Sequence, residues 1–195
     1  MKFKRLLLLM INILFLTEQS VASRREDNGD LFVIRAREFE TLGTMSDSYG
    51  NIPSRSMFTS TLGLALGIRI GHFSPALYGE YFLSSQINSL STSRNQNLSG
   101  QGYLVGGELK WQSHGFSITG AYLFSGQYQL LQETTTSQVS IYSQPSGYGL
   151  TLGFSPSQNF SLFLMGRETT FNSWNLDTDP LSQVLYGIGI GYDFL

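Results

Sequence analysis

Hydrophobic residues recur at every second position over four long stretches of the chain. Leu62, Leu64, Leu66, Ile68 and Ile70 alternate with Gly63, Ala65, Gly67 and Arg69. Phe116, Ile118, Gly120, Tyr122 and Phe124 alternate with Ser117, Thr119, Ala121 and Leu123. Tyr148, Leu150, Leu152 and Phe154 alternate with Gly149, Thr151 and Gly153. Near the C-terminus Tyr186, Ile188, Ile190, Tyr192 and Phe194 alternate with Gly187, Gly189, Gly191 and Asp193. A period of two puts one set of side chains on each face of a sheet. Weaker runs at Leu31–Thr41, Leu77–Ile87, Tyr103–Trp111 and Phe160–Phe171 bring the total to eight predicted strands.

The connections alternate as well. Short turns are predicted at His72–Ala76, Ser113–Gly115 and Ser155–Asn159. Long polar loops are predicted at Gly43–Ser56, Asn88–Ser99, Gln127–Ser146 and Asn172–Gln183. This asymmetry belongs to transmembrane barrels, with short periplasmic turns and longer extracellular loops. The predicted fold is therefore all-β: a transmembrane antiparallel up-and-down β-barrel of about eight strands. A soluble barrel of the lipocalin type would show Lys, Glu and Thr on its polar face. Here that face is mostly Gly, Ala, Ser and Thr, which suits the narrow lumen of an eight-stranded barrel.

Composition sharpens the picture. Charged residues make up 13% of the 195-residue chain, against about 25% in soluble domains. From Trp111 to Gly166 the only charge is Glu133. The chain has no Cys, which excludes disulfides, thiolate metal sites and a cysteine nucleophile. Lys2, Lys4 and Arg5 precede an apolar run from Leu6 to Leu16, and Ser20 and Ala22 occupy small-residue positions before Ser23. This reads as an export signal over residues 1–23, followed by a barrel domain over 24–195. Removing the signal leaves nine basic and thirteen acidic residues, a net charge of about −4, which argues against a nucleic-acid partner.

The last strand carries a resemblance. Gly189, Tyr192 and Phe194 resemble the C-terminal assembly signal of outer-membrane barrel proteins, with Gly187 at a position usually polar and Leu195 trailing the aromatic. The mature chain resembles the small eight-stranded group that includes OmpX, OmpW and the OmpA membrane domain. That resemblance implies an outer membrane of a Gram-negative-type envelope, contact with outer-membrane lipid, and recognition by the barrel-assembly machinery. No second domain is expected after the barrel.

Candidate chemistry is sparse. His72 and His114 fall at predicted periplasmic turns; His114 precedes Ser117, but Glu108 lies several residues deeper. A nucleophile needs a base in reach and a third group to orient it, so these histidines read as polar turn residues. Asn172, Asn175, Asp177 and Asp179 lack the spacing of a calcium loop. Gly187, Gly189 and Gly191 lack the helix a phosphate loop needs. The run Thr134–Ser137 could touch polysaccharide. Neither a catalytic residue, nor a metal ligand, nor a cofactor is implied.

The lumen is the exception. With the second turn centred on Ser74–Pro75, Arg69 and Glu80 are equidistant from it and lie opposite each other. Glu108 then falls at a similar depth, Lys110 one step nearer the periplasm, and Arg35 level with Arg69. Charges so confined must be paired. The cluster either fixes the barrel or forms a gate whose ions re-pair, and in both readings the resting lumen is closed. The expected function is a structural or surface-interaction role carried by the extracellular loops. A narrow conduit for small or apolar solutes and a lipid A-modifying enzyme are the alternatives.

Overall fold

The computed structural model of the chain describes residues 32–47, 54–87, 97–133, 138–157, 159–173 and 180–194. The expected signal segment, Met1–Ser23, lies outside the described residues, as do Thr134–Ser137, Asn175, Asp177 and Asp179. Eight strands form the structure: β1 (Val33–Asp47), β2 (Arg55–Gly67), β3 (Phe73–Gln86), β4 (Asn97–Ser113), β5 (Phe116–Glu133), β6 (Gln138–Phe154), β7 (Phe160–Ser173) and β8 (Leu181–Phe194). Each pairs antiparallel with its neighbours in sequence, and β1 pairs with β8 to close the barrel. Closure leaves no edge, so the backbone groups of every strand find partners in the wall.

The strands are strongly staggered. Stepping across direct partners from Arg35 leads through Ala65, Tyr78, Gly106, Leu123, Gly147, Thr169 and Gln183. The path returns to β1 at Met45, ten residues (35 to 45) further along the strand. Such a stagger requires tilted strands and a narrow interior.

Two of the short turns are two-residue hairpins. Ile70 and Phe73 exchange backbone hydrogen bonds of 2.8 and 3.1 Å around Gly71–His72. Gly71 takes the left-handed conformation at φ 60° that opens this reversal. The turn thus lies three residues earlier than a centre at Ser74–Pro75, and Pro75 sits in β3, where its carbonyl accepts from Ile68 N–H at 3.1 Å. The second hairpin turns at His114 and Gly115, with φ of 48° and 81°, the two positive values of a type I′ turn.

The strands run well beyond the predicted segments, for two reasons. The first is a bulge in each of β5 and β6. Gly106 pairs with Leu123 and Val105 with Ser125, so Phe124 is an extra residue in β5 and both Phe124 and Ser125 point outward. Past it Tyr128 and Leu130 point inward, the opposite parity from Ser117 and Thr119. A second irregularity between Ser143 and Ser146 does the same in β6. Each bulge flips the side-chain parity and breaks the sequence alternation.

The second reason is an inversion of amphipathicity along the barrel. In the periplasmic half the outer wall is apolar: Leu62, Leu64, Leu66, Leu77, Leu109, Ile118, Leu150, Leu152, Leu162, Leu164, Ile188 and Ile190 are all exposed. Paired aromatics bound this belt: Phe73 with Trp111 and Phe116 with Phe154 below, Tyr81 with Tyr103 and Tyr122 with Tyr148 above. Above the tyrosines polar residues enter the outer face, among them Gln101, Gln127, Gln129, Ser99 and Thr170, while an apolar set turns inward; Leu83, Val139 and Ile141 stay exposed. An exposed apolar belt between aromatic girdles is stable only against hydrocarbon, so the belt is the membrane-embedded part. The upper part resembles a soluble barrel in its apolar interior and largely polar outer face. Glu38 and Glu40 are the exceptions in the belt: both face outward on β1, Glu38 opposite Leu62 and Ile190.

Candidate functional site

The lumen is filled in two storeys. The lower one is ionic. Buried within it are four basic residues, Arg35, Arg37, Lys110 and Arg167, and three acidic ones, Glu80, Glu108 and Asp193. Alternation on β1 sends Arg35 and Arg37 to the same inner face, and Glu108 reaches across the lumen to both. Arg35 Nη1 donates to Glu108 Oε1 at 2.5 Å; Arg37 donates to both carboxylate oxygens at 2.7 and 2.9 Å. Lys110 Nζ donates to Asp193 Oδ2 at 2.8 Å. Arg167 donates to Glu80 Oε1, and Tyr78 Oη donates to Glu80 Oε2 at 2.6 Å. Among the described residues every buried carboxylate is engaged by a cation. Charges desolvated to this degree are stable only when so paired. The Arg37 guanidinium also lies 5.5 Å from the Phe163 ring centroid and 5.9 Å from that of Tyr78.

The aromatic rings of the lower lumen fit against glycines. A Cβ at Gly189 would meet Phe39 at 2.4 Å, one at Gly191 would meet Phe163 at 2.4 Å, and one at Gly63 would meet the Tyr78 hydroxyl at 2.7 Å. The β8 glycines therefore make room for large side chains from β1 and β7. Phe39 and Phe163 pack with centroids 6.1 Å apart.

The upper storey is apolar. Phe82 stacks on Tyr128 with centroids 5.4 Å apart, and Tyr128 packs on Phe171 at 5.4 Å. Met45, Met57, Leu98, Leu104, Leu123, Leu130, Tyr142 and Leu181 belong to the same cluster, all at most 4% exposed, and Ala65 and Tyr78 continue it down to the ionic storey. The lumen is thus closed twice, once by ions and once by rings.

Of the residues expected in the lumen, Arg35, Glu80, Glu108 and Lys110 are brought there; Arg69 is not. Because the hairpin is centred on Gly71–His72, Gly63 stands opposite Glu80. Arg69 lies beyond the end of β2, half-buried at the periplasmic rim, without an ion pair among the described residues. Nor is there one cluster: Glu108 pairs with arginines of β1, Lys110 with β8 and Glu80 with β7. Arg37, Arg167, Asp193 and Tyr78 were missed, although all four lie on inward positions that alternation identifies. Of the assembly-signal residues, Tyr192 and Phe194 lie on the outer face with ring centroids 4.7 Å apart, Phe194 exposed. Asn159 donates to the Tyr192 hydroxyl at 3.3 Å.

The histidines stay at the rim. His114 Nδ1 is 2.8 Å from Ser113 Oγ, Ser117 Oγ makes no hydrogen bond, and among the described residues no carboxylate hydrogen-bonds to the His114 ring. His72 Nδ1 is 3.0 Å from the Gln112 carbonyl oxygen. Asn172 donates to the Gln144 carbonyl at 3.3 Å, and the described residues contain no cluster of metal-ligating side chains.

No protein-family model matches the sequence, and no curated protein matches it. Solved structures do. Neisserial surface protein A superposes with a TM-score of 0.61 at 13% identity, over 84% of this chain and 97% of that one. Ail, the attachment invasion locus protein of Yersinia pestis, gives 0.58 at 12% identity, over 83% and 98%. The N-terminal barrel domain of Pseudomonas aeruginosa OprF gives 0.53 at 7% identity, over 85% and 99%. Identities this low show the fold alone. The closed barrel, its membrane belt and these superpositions together establish the fold as that of the small eight-stranded outer-membrane β-barrels.

Proposed function

We propose that this protein is a sealed barrel that acts through its extracellular face, as a surface-interaction module rather than a conduit or an enzyme. The double closure of the lumen carries this reading: an ionic storey below and a ring-packed storey above leave the outer surface and the loops as the places of contact. The β5–β6 hairpin is the main candidate. Its strands are 18 and 17 residues long, and it rises well above the tyrosine girdle. On its outer face Val139 and Ile141 are 60% and 43% exposed, Val139 opposite Leu131 and Ile141 opposite Gln129. Exposed apolar side chains on a projecting hairpin mark a contact surface. The belt below is the surface for outer-membrane lipid, and the β8 segment with Gly189, Tyr192 and Phe194 is the one offered to the barrel-assembly machinery.

The test is display on a heterologous Gram-negative cell. Cells carrying the wild type are expected to adhere to immobilised extracellular-matrix proteins or polysaccharides above vector-only cells. The double variant Val139→Ser, Ile141→Ser should lose that adhesion at equal surface display. Wild-type cells that bind no better than vector-only cells across the panel would remove the proposal.

A further inference from the structure

The ionic storey does not balance, and the imbalance is localised. Among the described residues, four buried cations face three buried carboxylates. All three carboxylates are already engaged, Glu108 by Arg35 and Arg37, Asp193 by Lys110, and Glu80 by Arg167 and Tyr78. What is left over is donor capacity on the cations. Arg37 Nε, Arg167 Nε, Arg167 Nη2 and Thr119 Oγ1 are buried and make no hydrogen bond. These residues are 4%, 5% and 1% exposed respectively. All three also line one internal cavity of about 20 Å³, together with Tyr78, Glu80, Glu108 and Thr151.

A guanidinium cannot accept a hydrogen bond and does not shed its proton in a protein. Whatever completes Arg37 and Arg167 must therefore be an acceptor. The cavity exceeds the roughly 10–15 Å³ that a single water-sized occupant needs, and it is too small for a carboxylate ligand or a phosphate. A surplus positive charge in a desolvated lumen selects a charged acceptor over a neutral one.

We propose that the cavity is a binding site for one small monovalent anion of the chloride class, held between Arg37 and Arg167 with Thr119 as a hydroxyl donor. The anion neutralises the fourth cation and ties β1, β5 and β7 together across the lumen. It is part of the folded barrel and is taken up on folding, because the apolar storey closes the route from above.

Linkage supplies the test. A ligand bound only by the folded state raises stability with its concentration. The full mature protein is folded into phosphatidylcholine vesicles and unfolded with urea, in sodium chloride or in sodium gluconate of equal ionic strength. Gluconate is too large for the cavity. The midpoint is expected to rise with the logarithm of chloride concentration, by on the order of 1 M urea between 1 mM and 100 mM. It should not rise in gluconate. Arg167→Gln removes the surplus charge and is expected to abolish the chloride dependence; Thr119→Val, which keeps every charge, should weaken it. Crystals grown in sodium bromide should show an anomalous peak between Arg37 and Arg167. Equal midpoints in chloride and gluconate for the wild type, or no bromide in that cavity, would overturn the proposal. So would a chloride dependence that survives both substitutions, since it would place the anion elsewhere.

Discussion

Glu108→Gln is the substitution that most severely loads the lower lumen. Among the described residues Glu108 is the sole carboxylate partner of both Arg35 and Arg37, through three hydrogen bonds of 2.5–2.9 Å. Both arginines are at most 4% exposed. Glutamine keeps the shape and one acceptor but leaves two guanidinium charges without their carboxylate. Breaking one buried ion pair by removing a partner costs about 3–5 kcal/mol, and here one deletion orphans two cations. Whole-domain stabilities are about 5–15 kcal/mol, so the loss is a large fraction of the total. With a urea slope of about 2–3 kcal/mol/M, the midpoint in vesicles should fall by roughly 1–2 M. A double-mutant cycle with Arg37→Met separates pairing from packing. The double variant should recover part of the loss, because it removes one of the stranded charges together with their partner. A fall of less than roughly 0.3 M in Glu108→Gln would refute the reasoning. It would mean that water solvates the arginines and that the ionic storey is wet.

Three other outcomes follow from the same geometry. Glu38 faces hydrocarbon between Leu62 and Ile190, so Glu38→Leu should stabilise the barrel by about 1 kcal/mol in the same urea titration; a loss of stability would show that Glu38 has a partner. Phe194→Asp removes the last exposed aromatic of the belt, and pulse–chase fractionation should show export without membrane insertion, followed by proteolysis. Insertion at the wild-type rate would show that β8 carries no assembly signal. Arg69 lies outside the lumen, so Arg69→Ala should shift stability by no more than about 0.5 kcal/mol, and a large loss would reinstate it as a lumen residue.

Strand number, the outward set of the apolar belt and the inward parity of Arg35, Glu80, Glu108 and Lys110 are legible in the sequence, because alternation is a local property. Two things were not. The Arg69–Glu80 pairing depended on a turn centre, and Ser-Pro looked like the turn while Gly71 made it. A shift of three residues moves every cross-strand partner, so Gly63 rather than Arg69 faces Glu80. The upper barrel carries the sequence pattern of loops because its hydrophobic phase is reversed and because bulges at Phe124 and at Ser143–Ser146 break the period. Partners that meet across the lumen, such as Arg37 with Glu108 or Arg167 with Glu80, are 71 and 87 residues apart. Their meeting depends on the stagger of the closed barrel, which no single strand encodes.

The account turns on a sealed lumen, and single-channel recording in a planar bilayer tests that directly. The purified wild type should insert and remain silent, with no steady conductance across the ionic and aromatic storeys. Removing both closures, with Phe82→Ala in the upper storey and Glu80→Ala in the lower, should open measurable current if the variant inserts. A steady, large conductance from the wild type would contradict the sealed barrel and return the protein to the class of conduits.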